Sequence, residues 1–120
     1  MDELTGVNIT DQKGVSLIAF QGDSISSVEA IAAASTRINA YLTTTKPKLV
    51  VFDFAGVKFF SSQVLGLLLD VRAKLKLTDG RIVISSIDPR LHRVFRITNL
   101  DRIFTFYPDK EAAINALSTA

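Results

Sequence analysis

The chain has 120 residues, 48% hydrophobic and 22% charged, with 14 Lys+Arg against 12 Asp+Glu and a formal net charge of +2. This suits one domain of ordinary size over residues 1–120, able to bury its own core. The near balance of charge argues against direct nucleic-acid binding, which needs a clustered basic patch. The absence of cysteine removes disulfides and thiol chemistry and suits a reducing cytoplasm. Met1-Asp2-Glu3-Leu4 is acidic where a signal peptide would be basic and then apolar. The greasiest stretch, Leu49 to Leu69, is interrupted by Asp53 and Lys58, so no membrane span is expected and the expected location is the cytoplasm.

In chain order, Val7-Asn8-Ile9-Thr10 and Val15 to Phe20 read as two strands joined by a Lys13-Gly14 turn. Ser26 followed by Glu29 has capping-box spacing, and Ile31, Ser35, Ile38 and Leu42 recur at helical spacing, predicting a first helix of about four turns that ends at Lys46-Pro47. Leu49 to Phe54 is apolar on both faces, the mark of a strand covered on both sides in a parallel sheet. Gly56 supplies a turn, and Ser61 or Ser62 caps the next helix. That helix is expected to turn Leu65, Leu68, Leu69, Val71 and Leu75 inward, to pair Asp70 with Lys74 outside, and to close at Gly80. Arg81 to Ser85 is a further strand, and Asp88-Pro89 opens a short helix with Leu91, Val94 and Phe95 inward. Ile103 to Tyr107 reads as the last strand, and Pro108-Asp109 starts a final helix burying Ala113, Ile114 and Leu117. The order β-β-α-β-α-β-α-β-α calls for an α/β fold, a mostly parallel mixed sheet partly covered by about four helices.

Catalytic and ligand-binding chemistry finds little to work with. The one histidine, His92, sits beside Arg93 on the polar side of a short helix and reads as a solvated surface residue. No carboxylate pair has ligand spacing, so neither metal nor cofactor is expected. Ser61-Ser62 follows a strand and opens a helix, but Phe60 and Gln63-Val64 replace the small residues of a nucleophile elbow, and only His92 offers a base. No catalytic residue is assigned. The glycines at 6, 14, 22, 56, 66 and 80 form no phosphate-cradling loop. Arg90, Arg93 and Arg96 fall on one helical stripe, with Arg102 beyond it, and read as a solvated face opposite Leu91, Val94 and Phe95. The positive signal is Ser61-Ser62-Gln63 at a helix N-terminus, where free N–H groups and the helix dipole favour an anion. A phosphate on a hydroxyl there would add a charge of about −1.5 to −2; the plainer role of these serines is to cap the helix.

The run Val51-Phe52-Asp53-Phe54-Ala55-Gly56-Val57-Lys58-Phe59-Phe60-Ser61-Ser62-Gln63-Val64-Leu65-Gly66-Leu67-Leu68-Leu69 resembles the central signature of STAS domains. In that signature a strand ends in a turn, and Phe and Asp-Ser-Ser-Gly-Leu-Gly then lead into a helix. Phe95 to Phe104 is similar to the family's passage from third helix to last strand, and Gly22-Asp23 to the Gly-Glu that ends its second strand. The similarity runs from about residue 7 to 117. It implies an anti-sigma factor antagonist: a non-enzymatic, cytoplasmic regulator of transcription in a bacterial partner switch. Such a protein binds an anti-sigma factor that is also a serine kinase, is released on phosphorylation, and is restored by a phosphatase. The implied surface comprises Gly22, Asp23, Ser24, Phe60, Ser61, Ser62, Gln63 and Val64, with Phe60 as the apolar anchor.

Aligned on Leu65-Gly66, the usual phosphoacceptor position falls on Gln63, Ser62 matches the preceding serine, and Ser61 stands where the family has Asp. The phosphorylation candidates are therefore Ser62 and Ser61. Gly22-Asp23-Ser24-Ile25 also lacks the family's usual Leu-Asp after the acidic residue. A monomer or weak homodimer is expected. The alternatives are a scaffold subunit of a larger signalling complex, or a small-ligand or lipid-binding module.

Overall fold

The structure, a computed structural model, describes residues 7–118. Two strands, β1 (Val7–Gln12) and β2 (Val15–Phe20), form an antiparallel hairpin. Lys13 and Gly14 between them both take positive φ, the primed turn whose twist matches the strands it joins. Then follow β3 (Ser24–Ile25), α1 (Val28–Thr45), β4 (Leu49–Asp53), β5 (Phe59–Phe60), α2 (Ser62–Lys76), β6 (Arg81–Ser85) and α3 (Pro89–Ile97). A 3-10 turn at Leu100–Arg102, β7 (Thr105–Tyr107) and α4 (Lys110–Ser118) complete the described chain.

Five strands form a mixed sheet in the order β1-β2-β4-β6-β7, with β2, β4, β6 and β7 parallel and β1 antiparallel at one edge. The expected α/β class and four helices are therefore what the chain adopts. Strand alternation divides the core in two. Ile18, Phe20, Val50, Phe52 and Ile84 face α1, α2 and α3, whose Ile38, Leu68 and Phe95 pack into the same cluster. On the other side, Val15, Leu17, Val51 and Val83 meet Ala113, Ile114 and Leu117 of α4. Asp53 ends β4 buried, and Ser85 at the matching end of β6 donates its hydroxyl hydrogen to it at 2.8 Å. The polar group thus keeps a partner where leaving it alone would cost about 1–3 kcal/mol.

Several boundaries differ from the sequence expectation. The cap of α1 is Ser27, which accepts the Ala30 N–H at 3.2 Å and donates to Glu29 at 3.2 Å; Ser26 lies one residue outside. In α2 the buried set is Val64, Leu65, Leu67, Leu68, Val71 and Leu75, while Leu69 points outward because the helical stripe passes through 64, 68, 71 and 75. The Asp70–Lys74 pair forms as expected, at 2.9 Å. The left-handed residue closing α2 is Asp79 (φ 60°), and Gly80 follows it, its N–H bonded to the Leu75 carbonyl at 2.7 Å. Gly80 is needed for close approach, since a Cβ there would lie 3.0–3.1 Å from Leu75 atoms. The last strand begins at Thr105, because Leu100–Arg102 is spent in the 3-10 turn and Ile103 follows it outside the sheet. His92 is half-buried, its ring edge-on to Phe106 at 4.6 Å between centroids, so it is not a fully solvated residue.

Candidate functional site at the start of helix α2

Two short strands that carry no periodicity build the site. β3 and β5 pair in parallel, Ser24 opposite Phe59 and Ile25 opposite Phe60. The Asp23 carbonyl accepts the N–H groups of Lys58 (2.7 Å) and Phe59 (3.2 Å), and the Ile25 carbonyl accepts that of Ser61 (2.9 Å). The two segments singled out in the sequence, 22–24 and 60–64, are thereby zipped side by side. Gly22 stands at φ +89°, a conformation costly for any residue with a Cβ, and this lets the chain leave β2 and swing to β3.

Alternation along β5 decides which phenylalanine faces out. Phe60 is 6% exposed and lies between Phe54 (5.6 Å) and Phe95 (6.1 Å), while Phe59 is 53% exposed. Val64 is also fully buried. The Phe60 side chain, expected as an apolar anchor, is therefore committed to the core, and Phe59 is the exposed phenylalanine of the pair. Gly22, Asp23, Ser24, Ser62 and Gln63 are exposed. Their surface rests on a chain of rings from Phe20 through Phe54 and Phe60 to Phe95, which holds the turn rigidly against the core.

The two serines divide sharply. Ser61 occupies the N-cap position of α2, yet its side chain makes no cap hydrogen bond. Its Oγ is buried without a hydrogen-bond partner among the described residues. The expectation that one of the serines caps the helix is met in position only. Its carbonyl accepts the Val64 N–H at 3.0 Å. Ser62, one residue on, is exposed at the first helical position. With the Val64 N–H taken by the Ser61 carbonyl, the Ser62 and Gln63 end of α2 has no side-chain cap, and no acidic side chain sits in its first turn to meet the dipole. Ser62 is thus the exposed member of the pair, whereas the Ser61 Oγ is buried.

At the flank, Asp88 caps α3 by accepting the Arg90 N–H at 2.9 Å, and Lys58 from the β4–β5 loop approaches it at 3.9 Å. Hydrogen bonds from the Arg90 side chain and backbone hold the Asp88 carboxyl below its usual range. Among the described residues no cluster of three or more His, Cys, Asp or Glu could hold a metal ion, and no helix is long and apolar enough to cross a membrane. Two open clefts of about 340 Å³ each lie on the surface, one between α1 and α2 beside Ile31, Gln63 and Gly66 and one beside Ile9, Arg37 and Tyr41, at the lower end of the roughly 300–1,000 Å³ typical of small-molecule sites.

The fold is shared with solved structures. An anti-sigma-factor antagonist (STAS) domain protein from Planctomyces limnophilus is 24% identical, covering 92% of this chain and 95% of that one, at a TM-score of 0.82. An anti-sigma factor antagonist from Mycobacterium paratuberculosis is 27% identical over 92% of this chain and 91% of that one, at a TM-score of 0.79. The Bacillus cell fate determinant SpoIIAA, in its phosphorylated form, is 18% identical over 92% and 98%, at a TM-score of 0.70. A family model described as the STAS domain matches residues 6–113, nearly the whole sequence. The chain belongs to the STAS domain family.

Proposed function

We propose that this chain is a partner-switching regulator of the anti-sigma factor antagonist type. In this reading residues 1–120 act as one unit, without catalysis of their own, and bind an anti-sigma factor or serine kinase. The docking surface is Gly22, Asp23, Ser24, Phe59, Ser62 and Gln63, and the switch is a phosphate on Ser62. The supporting observation is the joining of the 22–24 segment to the β5–α2 turn by the short β3–β5 pair, with Phe59 and Ser62 both exposed on it. Phe59 gives the surface an aromatic anchor, the residue class that dominates interface energetics. A phosphate beside it adds charge where a desolvated contact would form. That costs several kcal/mol at the interface, and each ~1.4 kcal/mol is tenfold in affinity, so binding falls by about a hundredfold or more.

The test mixes the chain with purified anti-sigma kinases from its own genome, with and without ATP, and follows complex formation by size exclusion and modification by fragment mass spectrometry. A complex that a Phe59→Ala variant fails to form, and that ATP dissolves with one phosphate on Ser62, supports the reading. An unmodified chain that stays bound in ATP keeps the binding role and overturns the switch. A modification outside residues 59–66 alone overturns the assignment of this turn.

A further inference from the structure

A second face of the molecule takes no part in the proposed function. On α3, Arg90, Arg93 and Ile97 follow one another at i, i+3 and i+7, so they form a single stripe with Arg96 beside it. All four are exposed, and Ile97 at 73% is among the most exposed large apolar side chains. Arg102 and Ile103, the latter at 39%, are also exposed, just past the helix in the chain. Arg90 is tied to Asp88 at 3.2 Å, but Arg93, Arg96 and Arg102 form no ion pair among the described residues. Residues 88–103 hold four arginines and no lysine against two aspartates, a net of +2 that equals the charge of the entire chain. The rest of the sequence is electrically balanced, and its cations include all the lysines.

We propose that this arginine–isoleucine face is a docking surface for an acidic protein segment, one with carboxylates on either side of an aliphatic side chain. The face combines an exposed isoleucine with arginines and no lysine. The planar guanidinium is the better partner for a carboxylate fork and is enriched at interfaces, where lysine is depleted. The surface is also pre-organised: Phe95, on the opposite side of α3, packs against Phe60, Phe104 and Phe106. The net charge of +2 over residues 88–103 is small beside the clustered basic patch that nucleic-acid binding needs. Membrane insertion would need the apolar side of α3, and Leu91 and Phe95 are already in the core.

This inference does not rest on the partner-switch reading, and its test uses no partner of that system. The ¹⁵N-labelled full chain is titrated with a synthetic peptide of alternating Glu and Leu, and in parallel with anionic phosphatidylserine vesicles and duplex DNA. The expected result is amide shifts centred on Arg93, Arg96, Ile97 and Ile103 with the peptide, weakening as salt is raised. An Arg93→Glu/Arg96→Glu double variant should bind about tenfold more weakly or worse, and Ile97→Ser should bind several-fold more weakly with both charges intact. Thermal melts check that these exposed substitutions leave the fold unchanged. No shift with millimolar peptide, shifts centred elsewhere, undiminished binding by the double variant, or tighter binding of vesicles or DNA would each overturn the proposal.

Discussion

At the start of α1 the Ser27 hydroxyl accepts the Ala30 N–H, and Glu29 sits in the first turn. At the start of α2 the Ser61 hydroxyl is turned inward without a partner among the described residues, and the first turn holds no acid. The other two helices follow the pattern of α1: Asp88 accepts the Arg90 N–H, and Asp109 accepts the Ala112 N–H at 2.8 Å. Three helices are thus closed by their own side chains, and one leaves its positive end unmet. That one carries the exposed Ser62-Gln63 turn and stands beside Phe59. Departures from local stability rules gather where a protein does its work, and α2 is the helix of the four described whose start lacks a side-chain cap hydrogen bond.

The scale of the contrast is set by the body of α2, where Leu68→Ala should cost about 2–5 kcal/mol in denaturant unfolding because the side chain is fully buried. A loss below 1 kcal/mol would mean that α2 is not held by the core as described. Next come the two serines, which should move in opposite directions. Ser27→Ala removes a working cap and should cost about 1 kcal/mol. Ser61→Ala removes a buried hydroxyl without a partner and should be stabilising by about 1 kcal/mol. If both variants lose stability equally, the contrast between the two helix starts fails. Gly66, in the second turn of α2, has nothing within 4 Å of an added Cβ. Gly66→Ala should therefore be stabilising by about 0.5–1 kcal/mol, and a loss would reveal a packing constraint at that position.

The smallest effect concerns α3. Because Arg90 depresses the Asp88 carboxyl, the pair contributes above the usual carboxylate pKa and is lost as pH falls through the depressed value. Arg90→Ala should raise the Asp88 pKa, read by carboxyl-carbon NMR, and the stability difference from the parent chain should vanish in strong acid. An unchanged titration would show that the cap is held by the backbone N–H alone.

Long periodic stretches are legible in the sequence because they repeat their signal several times: the inward stripe of α2, apart from its Leu69, and the doubly apolar β4 need no tertiary information. The parts that build the site do not repeat. β3 and β5 have two residues each, too few to show alternation, so the phase that buries Phe60 and exposes Phe59 is set by pairing with a segment 35 residues away. The α1 cap was misplaced by one residue because Ser26 and Ser27 are adjacent and chemically equivalent, and only backbone geometry chooses between them. The inward turn of Ser61 has no local signal at all: capping chemistry predicts the opposite, and the packed turn overrides it. The STAS signature singles out this region, while which of its side chains are buried follows from long-range pairing.

The division of the core into two faces also bears on how the chain is made. Val15, Leu17, Val51 and Val83 find their cover only in α4, which begins at Lys110, after every strand of the sheet. During synthesis at about 5–20 residues per second, the α1–α2–α3 side can assemble while the opposite side of the sheet is still bare. That side of the sheet has its cover only once α4 has been made, so a chain cut before Lys110 should display an aliphatic wall of Val15, Leu17, Val51 and Val83.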